Sequence, residues 1–179
     1  MIKNIFITGR PGCGKTTLIM EILRGIDLSV GGFYTAEIRE KGMRKGFKII
    51  TIDGKEGILA HQNIKSPYKV SKYGVNIKDL EKIVVKAVLG ALKRDKICII
   101  DEIGKMELFS EKFKKAVLTA LDSKNKVLGT IKLTPDPFTD KIKKRKDTKV
   151  FYLTRENREE IKEKLKQLLK SYGNYQQNP

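Results

Sequence analysis

The chain has 179 residues, of which 40% are hydrophobic and 33% are charged, and these proportions are typical of a soluble globular protein and exclude a disordered chain. No segment approaches the roughly 18 apolar residues of a transmembrane helix, and the amino terminus lacks a signal-peptide pattern, so we expect a cytoplasmic monomer without a membrane partner. The 38 Lys and Arg exceed the 21 Asp and Glu by 17, which suits polyanionic partners such as nucleic acid and equally suits a lysine-rich solvated surface.

The first elements along the chain are a strand, a glycine-rich loop and a helix. Residues 2–8 are apolar and β-prone and run directly into glycines, which predicts a buried strand. After Lys15 the apolar residues recur at helical spacing as far as Gly25, where we expect the helix to end. The apolar face of this helix consists of Leu18, Ile19, Ile22, Leu23 and Ile26.

The loop between this strand and helix carries the most informative motif of the sequence. Residues Gly9-Arg10-Pro11-Gly12-Cys13-Gly14-Lys15-Thr16 match G-x-x-x-x-G-K-[ST] in full, and the flanking strand and helix are the context that a phosphate-binding loop requires. Its glycines allow backbone N–H groups to approach phosphate oxygens. We expect Lys15 to reach the β and γ oxygens, Thr16 to ligate Mg²⁺ and Thr17 to contact the α-phosphate, while Arg10, Pro11 and Cys13 belong to the binding loop without a catalytic role.

The next segment has a different pattern. Short β-like runs at residues 32–38, 46–52 and 57–60 are separated by turn sequences, which predicts antiparallel hairpins. Residues 61–75 read as irregular. Asn76 is then placed to cap a long amphipathic helix.

A second buried strand ends in two carboxylates, Asp101 and Glu102, after the apolar run at 97–100. In phosphate-loop enzymes an acid at this place holds Mg²⁺, so we assign Asp101 to the metal. Glu102 follows where the strand ends, and we assign it to the attacking water. Two adjacent carboxylates could instead cap the loop or be solvated.

The remaining elements alternate between helix and strand. We expect helices near 110–122, 139–146 and 156–169 and strands at 127–131 and 150–153. This alternation predicts an α/β fold of the P-loop NTPase class, with a mostly parallel sheet, helices on both faces and an inserted antiparallel hairpin region. Residues 1–172 are expected to form a single domain, and residues 173–179 a polar tail. Cys13, Cys98 and His61 are too few and too widely spaced for a zinc site, and Cys98 reads as a core residue.

The segments at 9–17 (GRPGCGKTT) and 100–108 (IDEIGKMEL) together resemble the THEP1-type nucleoside-triphosphatases, and residues 32–39, 46–49, 73–76 and 136–138 are also similar to that family. The resemblance implies a RecA-like domain that hydrolyses ATP, GTP, CTP, UTP and TTP to the diphosphate and phosphate with Mg²⁺ and little base selectivity. It also implies that Glu37, Arg39 and Arg44 face the nucleotide, although a solvated hairpin explains them equally well. The sequence departs from the family pattern at Lys132 and Leu133, where a His or Arg is frequent.

Two other functions remain open. The same loop and metal serve a small-molecule or nucleotide kinase, for which the best lid candidate is the basic run at 141–146. The net charge of +17 also suits a nucleic-acid-stimulated ATPase, although no nucleic-acid-binding motif is present.

Overall fold

The computed structural model describes residues 1–25, 27–94 and 96–176, with side chains as far as Lys170. Ile26, which the periodicity places on the first helix, lies outside these ranges, as do residues 177–179 of the predicted tail. Within them one sheet contains β1 (Asn4–Thr8), β2 (Val30–Glu40), β3 (Met43–Thr51), β4 (Glu56–His61), β5 (Lys69–Val70), β6 (Tyr73–Val75), β7 (Ile97–Ile103), β8 (Val127–Ile131) and β9 (Thr148–Tyr152). The α-helices are α1 (Lys15–Arg24), α2 (Ile77–Asp79), α3 (Lys86–Lys93), α4 (Glu111–Asp122), α5 (Pro137–Lys143) and α6 (Arg158–Gln176).

The sheet has two halves that share β2. The strand order is β5-β6-β4-β3-β2-β7-β8-β1-β9. In the half formed by β2, β7, β8, β1 and β9, neighbouring strands pair in parallel. In the other half, formed by β2, β3, β4, β6 and β5, neighbouring strands pair antiparallel. The predicted hairpins therefore continue the main sheet, and Phe33 pairs with Ile100 on one side and with Thr51 on the other.

Helices cover both faces of the parallel half, as the alternation of elements predicts. Along β1, Ile5 and Ile7 pack with residues of α1 and α6 in one apolar cluster, whereas Phe6 belongs to a second cluster that contains Val88 of α3 and Phe113 of α4. Successive side chains of a strand point to opposite faces, so β1, β7 and β8 are buried along their whole apolar length. Cys98 is fully buried in this core, as its place in an apolar run indicates.

The predicted helix cap at Asn76 forms, and α4 has a similar cap. The side chain of Asn76 accepts a hydrogen bond from the Asp79 N–H (3.1 Å) and so begins α2, which continues through a π-helical segment (Leu80–Val85) into α3. Ser110 caps α4 in the same way, with the Phe113 N–H at 3.1 Å. Each cap satisfies one of the N–H groups that a helix leaves unpaired at its start.

The structure differs from the sequence interpretation in two places. The segment read as irregular contains the short hairpin β5–β6 at the edge of the sheet, and α6 ends only at Gln176, inside the segment predicted as a tail. A short 3₁₀ helix (Glu107–Phe109) follows β7. Among the described residues, no helix has both the length and the apolar character needed to cross a bilayer.

Candidate active site

The phosphate-binding motif lies where the sequence places it, between β1 and α1. Gly9, Gly12 and Gly14 have φ values of +155°, +75° and +90°, which side-chain-bearing residues rarely adopt. A Cβ on Gly9 would also lie 2.6 Å from the Leu153 carbonyl oxygen at the end of β9. The loop therefore depends on glycine both for its backbone conformation and for its packing against the neighbouring strand.

Lys15 is held against the loop by two backbone carbonyls. Its Nζ donates to the Gly9 oxygen at 3.1 Å and to the Arg10 oxygen at 3.2 Å. Lys15 is the first residue of α1, so the ammonium group and the unpaired N–H groups of the helix start occupy the same region. This arrangement concentrates positive charge where a triphosphate would lie.

Asp101 joins the phosphate loop to two neighbouring strands. One carboxylate oxygen accepts from the Thr16 hydroxyl at 2.7 Å and the other from the Thr130 hydroxyl of β8 at 2.6 Å. Burial raises the pKa of Asp101, and the hydrogen bonds from Thr130, Thr16 and the backbone of Thr35, together with the charge of Lys15, act in the opposite direction. The carboxylate is thus fixed beside the threonine that begins α1.

Glu102 and Glu107 form an acidic pair beyond Asp101. A Cβ on Gly104 would lie 3.0 Å from Glu102 Oε1 and 3.0 Å from Glu107 Oε2, and the Gly104 N–H donates to Glu107 Oε2 at 3.2 Å. Burial, reinforced by the charge of Glu102, raises the pKa of Glu107 to about 8. Glu107 is therefore protonated at neutral pH and adds no negative charge beside Glu102.

The environment of Glu102 contains charges of both signs. Burial raises its pKa, Lys15 lowers it, Asp101 raises it and Lys132 lowers it. Lys132 itself pairs with Asp136 at 3.6 Å. Lys132, which departs from the family pattern, is thus a cation close enough to lower the pKa of Glu102. The peptide bond between Asp101 and Glu102 is cis.

Asp101 and Thr16 provide the kind of oxygen ligands that Mg²⁺ prefers. Among the described residues no group of three or more His, Cys, Asp or Glu side chains could hold a metal ion. A cation here would accordingly complete its coordination with water and with nucleotide phosphates, as Mg²⁺ commonly does. The two residues fit that role.

A cavity of about 460 Å³ adjoins the loop, and sequence reasoning missed it. Arg10, Pro11, Gly12 and Cys13 form one wall, and residues 152–156, which follow β9, form the other. Tyr152 is 46% exposed on this second wall. The parallel pairing of β1 with β9 brings these two distant segments of the chain together. Thr17, which follows Thr16 on α1, is exposed.

Arg158 supports the loop from behind, and no sequence motif indicates this role. Its guanidinium donates to the Gly14 carbonyl at 3.3 Å and to Glu21 Oε1 at 2.8 Å. Glu21 also pairs with Lys162 at 3.3 Å. These contacts join α6 to Gly14, the last loop residue before α1, and to Glu21 within α1.

The charged residues of the hairpin form a cluster of their own. Glu37 pairs with Arg39 at 2.6 Å and with Arg44 at 2.7 Å, and Arg44 donates to the Tyr73 hydroxyl at 3.3 Å. These contacts join β2, β3 and β6, and they do not involve the phosphate loop.

The basic run at 141–146 does not lie near the phosphate loop, so its interpretation as a kinase lid is wrong. Arg145 pairs with Asp147 at 2.9 Å and with Asp122 at 2.8 Å, and the run leads into β9, whose first residue pairs with Asn4 at the start of β1. The run is therefore at the amino ends of the strands, whereas the loop is at the carboxyl ends.

Three features of this structure define the class of P-loop nucleotide-binding proteins. They are a phosphate loop after β1, a loop threonine hydrogen-bonded to a buried aspartate near the carboxyl end of β7, and a parallel sheet between helices. Comparison with known protein families identifies the family within this class. A family model described as NTPase (NTPase_1) matches residues 4–166, and the chain belongs to this nucleoside-triphosphatase family.

Relatives and solved structures agree with this assignment. Nucleoside-triphosphatase THEP1 of Thermotoga maritima is 51% identical over 167 residues, which cover 93% of this chain and 95% of that protein. The human cancer-related nucleoside-triphosphatase is 38% identical over 177 residues, which cover 90% of this chain and 93% of that protein. The crystal structure of THEP1 from Aquifex aeolicus superposes with a TM-score of 0.82 at 37% identity, over 90% of this chain and 96% of that one. The family resemblance and the α/β P-loop fold are thereby confirmed.

Proposed function

We propose that the protein hydrolyses nucleoside triphosphates to the diphosphate and phosphate, with Gly9 to Thr17 binding the phosphates. The observation that carries this proposal is the position of Asp101, whose carboxylate accepts from Thr16 of the loop at 2.7 Å while Glu102 follows it directly. Membership of a nucleoside-triphosphatase family supports the same activity. The reaction breaks the bond between the γ-phosphorus and the bridging oxygen while a water oxygen bonds to that phosphorus.

Each acidic and basic side chain then has a distinct task. Lys15, already turned toward the loop carbonyls, exchanges them for β and γ oxygens and stabilises the charge that develops there. Thr16 and Asp101 would hold Mg²⁺, which would supply positive charge to neutralise the phosphates. Glu102 orients the water and accepts its proton.

Glu107 assists Glu102 without contacting substrate. Its pKa of about 8 keeps it neutral at physiological pH, and so it avoids a second negative charge beside the base. Two ionised carboxylates beside the same glycine would repel each other and the triphosphate. The carboxyl group of Glu107 accepts from the Gly104 N–H at 3.2 Å and so holds the backbone two residues after Glu102.

The substrate range should be broad. The cavity beside the loop has room for a nucleoside, and Tyr152 presents an exposed ring on its wall. Stacking on an aromatic ring accepts every base, because each base has a π face. We therefore expect similar turnover of ATP, GTP, CTP, UTP and TTP, and a tenfold preference in kcat/KM for one of them, worth about 1.4 kcal/mol, would contradict this expectation.

A pair of conservative variants tests the division of labour between the two acids. Glu102→Gln keeps the shape of the side chain and removes the proton acceptor, so MgATP affinity should stay within a few fold of wild type while kcat falls by roughly a hundredfold or more. Asp101→Asn should weaken nucleotide binding, Mg²⁺ dependence and turnover together.

Phosphate release and nucleotide binding are measured on the same preparations. Normal hydrolysis by Glu102→Gln would place the base elsewhere. Loss of binding as severe as in Asp101→Asn would make Glu102 part of the metal site. The cytoplasmic location and the monomeric state expected from the sequence stay predictions.

A further inference from the structure

A second cavity, of about 480 Å³, lies at the carboxyl ends of the central strands and is separate from the one beside the phosphate loop. Its walls come from β5, from the loop that follows β7 and from the loop that follows β8. Lys105 lies three positions after Glu102 in the chain, and Lys132 directly follows β8. No part of the hydrolytic mechanism above uses this cavity.

The walls of this cavity carry an excess of positive charge. Lys69, Lys105, Lys114 and Lys132 face one acid, Asp136. Lys132 pairs with Asp136 at 3.6 Å, and Lys114 pairs with Glu111 at 2.7 Å. Lys69 and Lys105 are exposed and form no salt bridge within the described part of the chain, so they are available for an anionic ligand.

Two aromatic rings adjoin these cations on the surface. Phe109 lines the cavity and is 38% exposed, and Tyr68 is 42% exposed. Their ring centroids are 5.3 Å apart, so they form one exposed aromatic patch. Large aromatic side chains are usually enriched in cores and at binding surfaces, and this pair lies beside lysines without salt bridges.

We propose that this surface, defined by Tyr68, Lys69, Lys105 and Phe109, binds single-stranded nucleic acid. Unpaired bases would stack on the two rings, and backbone phosphates would contact the two lysines, which is the combination that single-strand-binding proteins use. A duplex keeps its bases stacked on one another and offers no base face to these rings. The proposal concerns binding alone and does not depend on the hydrolytic activity.

The chain offers a matched control surface at the opposite end of the sheet. A cavity of about 410 Å³ at the amino ends of β2 and β7 is lined by Lys55, Lys82, Lys86, Arg94 and Lys96 and, among the described residues, by no aromatic side chain. Removing two lysines there changes the net charge by the same amount as removing Lys69 and Lys105. The comparison separates a specific site from the attraction of a basic protein for any polyanion.

The test is fluorescence anisotropy of a labelled oligothymidylate of about 15 nucleotides, in EDTA and without nucleoside triphosphate, over about 50–200 mM salt. Tyr68→Leu and Phe109→Leu keep apolar bulk and remove the ring, and each should weaken binding about 5- to 150-fold with an unchanged salt slope. The double variant Lys69→Gln/Lys105→Gln should reduce the salt slope by about 1.4, since each phosphate contact on a single strand contributes about 0.7. Lys82→Gln/Lys86→Gln should bind as wild type does.

Several outcomes would overturn the proposal. The first is that the control pair of lysine substitutions weakens binding as much as the Lys69 and Lys105 pair, and the second is that both ring variants bind as wild type does. The third and fourth are equal affinity for a matched duplex and competition by free thymidine monophosphate at the same concentration of nucleotide units. The fifth is that the wild type does not bind at the lowest salt. Circular dichroism of each variant shows whether it is folded. Because hydrolysis is measured separately, failure of this proposal leaves the assignment of the active site unaffected.

Discussion

The buried carboxyl group of Glu107 should make the stability of the protein depend on pH in a way that one substitution removes. Glu107 is 4% exposed, and its pKa is raised from 4.5 to about 8 by burial and by the nearby charges of Glu102 and Asp101. Below pH 4.5 the carboxyl group is protonated in both the folded and the unfolded chain. Between pH 4.5 and about 8 only the unfolded chain ionises, so the free energy of unfolding falls as the pH rises.

The size of this effect follows from the interval between the two pKa values. That interval is 8 − 4.5, or about 3.5 pH units, and each unit corresponds to about 1.4 kcal/mol. The stability lost between pH 4 and pH 9 through this group therefore approaches about 5 kcal/mol, or on the order of 10 °C in Tm for a domain of this size. Glutamine keeps the acceptor for the Gly104 N–H and cannot ionise, so Glu107→Gln should be near wild-type stability at pH 5 and clearly more stable than wild type at pH 9.

Urea unfolding in EDTA across this pH range measures the effect. The control Glu111→Gln alters a glutamate whose side chain is 76% exposed, and its stability should follow the wild-type pH profile. Parallel profiles for Glu107→Gln and wild type would show that Glu107 ionises in the folded protein as it does in the unfolded chain. The neutral state assigned to Glu107 would then be wrong.

Three further predictions concern the phosphate loop. Lys15→Ala should lower phosphate release by on the order of a hundredfold or more, because a preorganised cation on developing charge contributes several kcal/mol; near-wild-type turnover would exclude the site. Chelation with EDTA should abolish hydrolysis and added Mg²⁺ should restore it, since the metal neutralises the β and γ oxygens. Gly9→Ala should destabilise the protein by at least about 2 kcal/mol, because its added Cβ would lie 2.6 Å from the Leu153 oxygen. Gly42 also has a positive φ, of +77°, but an added Cβ there would meet no atom within 4 Å. In thermal unfolding, Gly42→Ala should therefore lower the stability by only about 1 kcal/mol. Equal losses of stability in Gly9→Ala and Gly42→Ala would refute the packing argument.

The parts of the fold that the sequence predicts are those with local signals. The loop at Gly9, the acid-ended strand at Asp101 and the cap at Asn76 each combine a specific residue type with a flanking periodic pattern. The short hairpin β5–β6 has strands of two and three residues, too few to show alternation. Its existence depends on pairing with β4, which is a tertiary contact.

The parts of the site that the sequence does not predict depend on long-range contacts. Arg158 reaches Gly14 across the chain, and Tyr152 faces the loop only because β9 pairs with β1. The position of the basic run at 141–146 likewise follows from the direction of α5, which returns the chain to the amino ends of the strands. Glu107 is recognisable as an acid near Glu102, but its burial and neutral state require the packed structure.

The shared strand β2 also limits how the two halves of the sheet can move relative to each other. Val30 to Phe33 of this strand pair with β7, and Phe33 to Glu40 pair with β3, so the antiparallel strands are joined to the catalytic sheet by a continuous backbone ladder. A swing of the antiparallel half as a separate body would break that ladder at Phe33, which is fully buried. A separate movement of the two halves would therefore require breaking main-chain hydrogen bonds on both sides of β2.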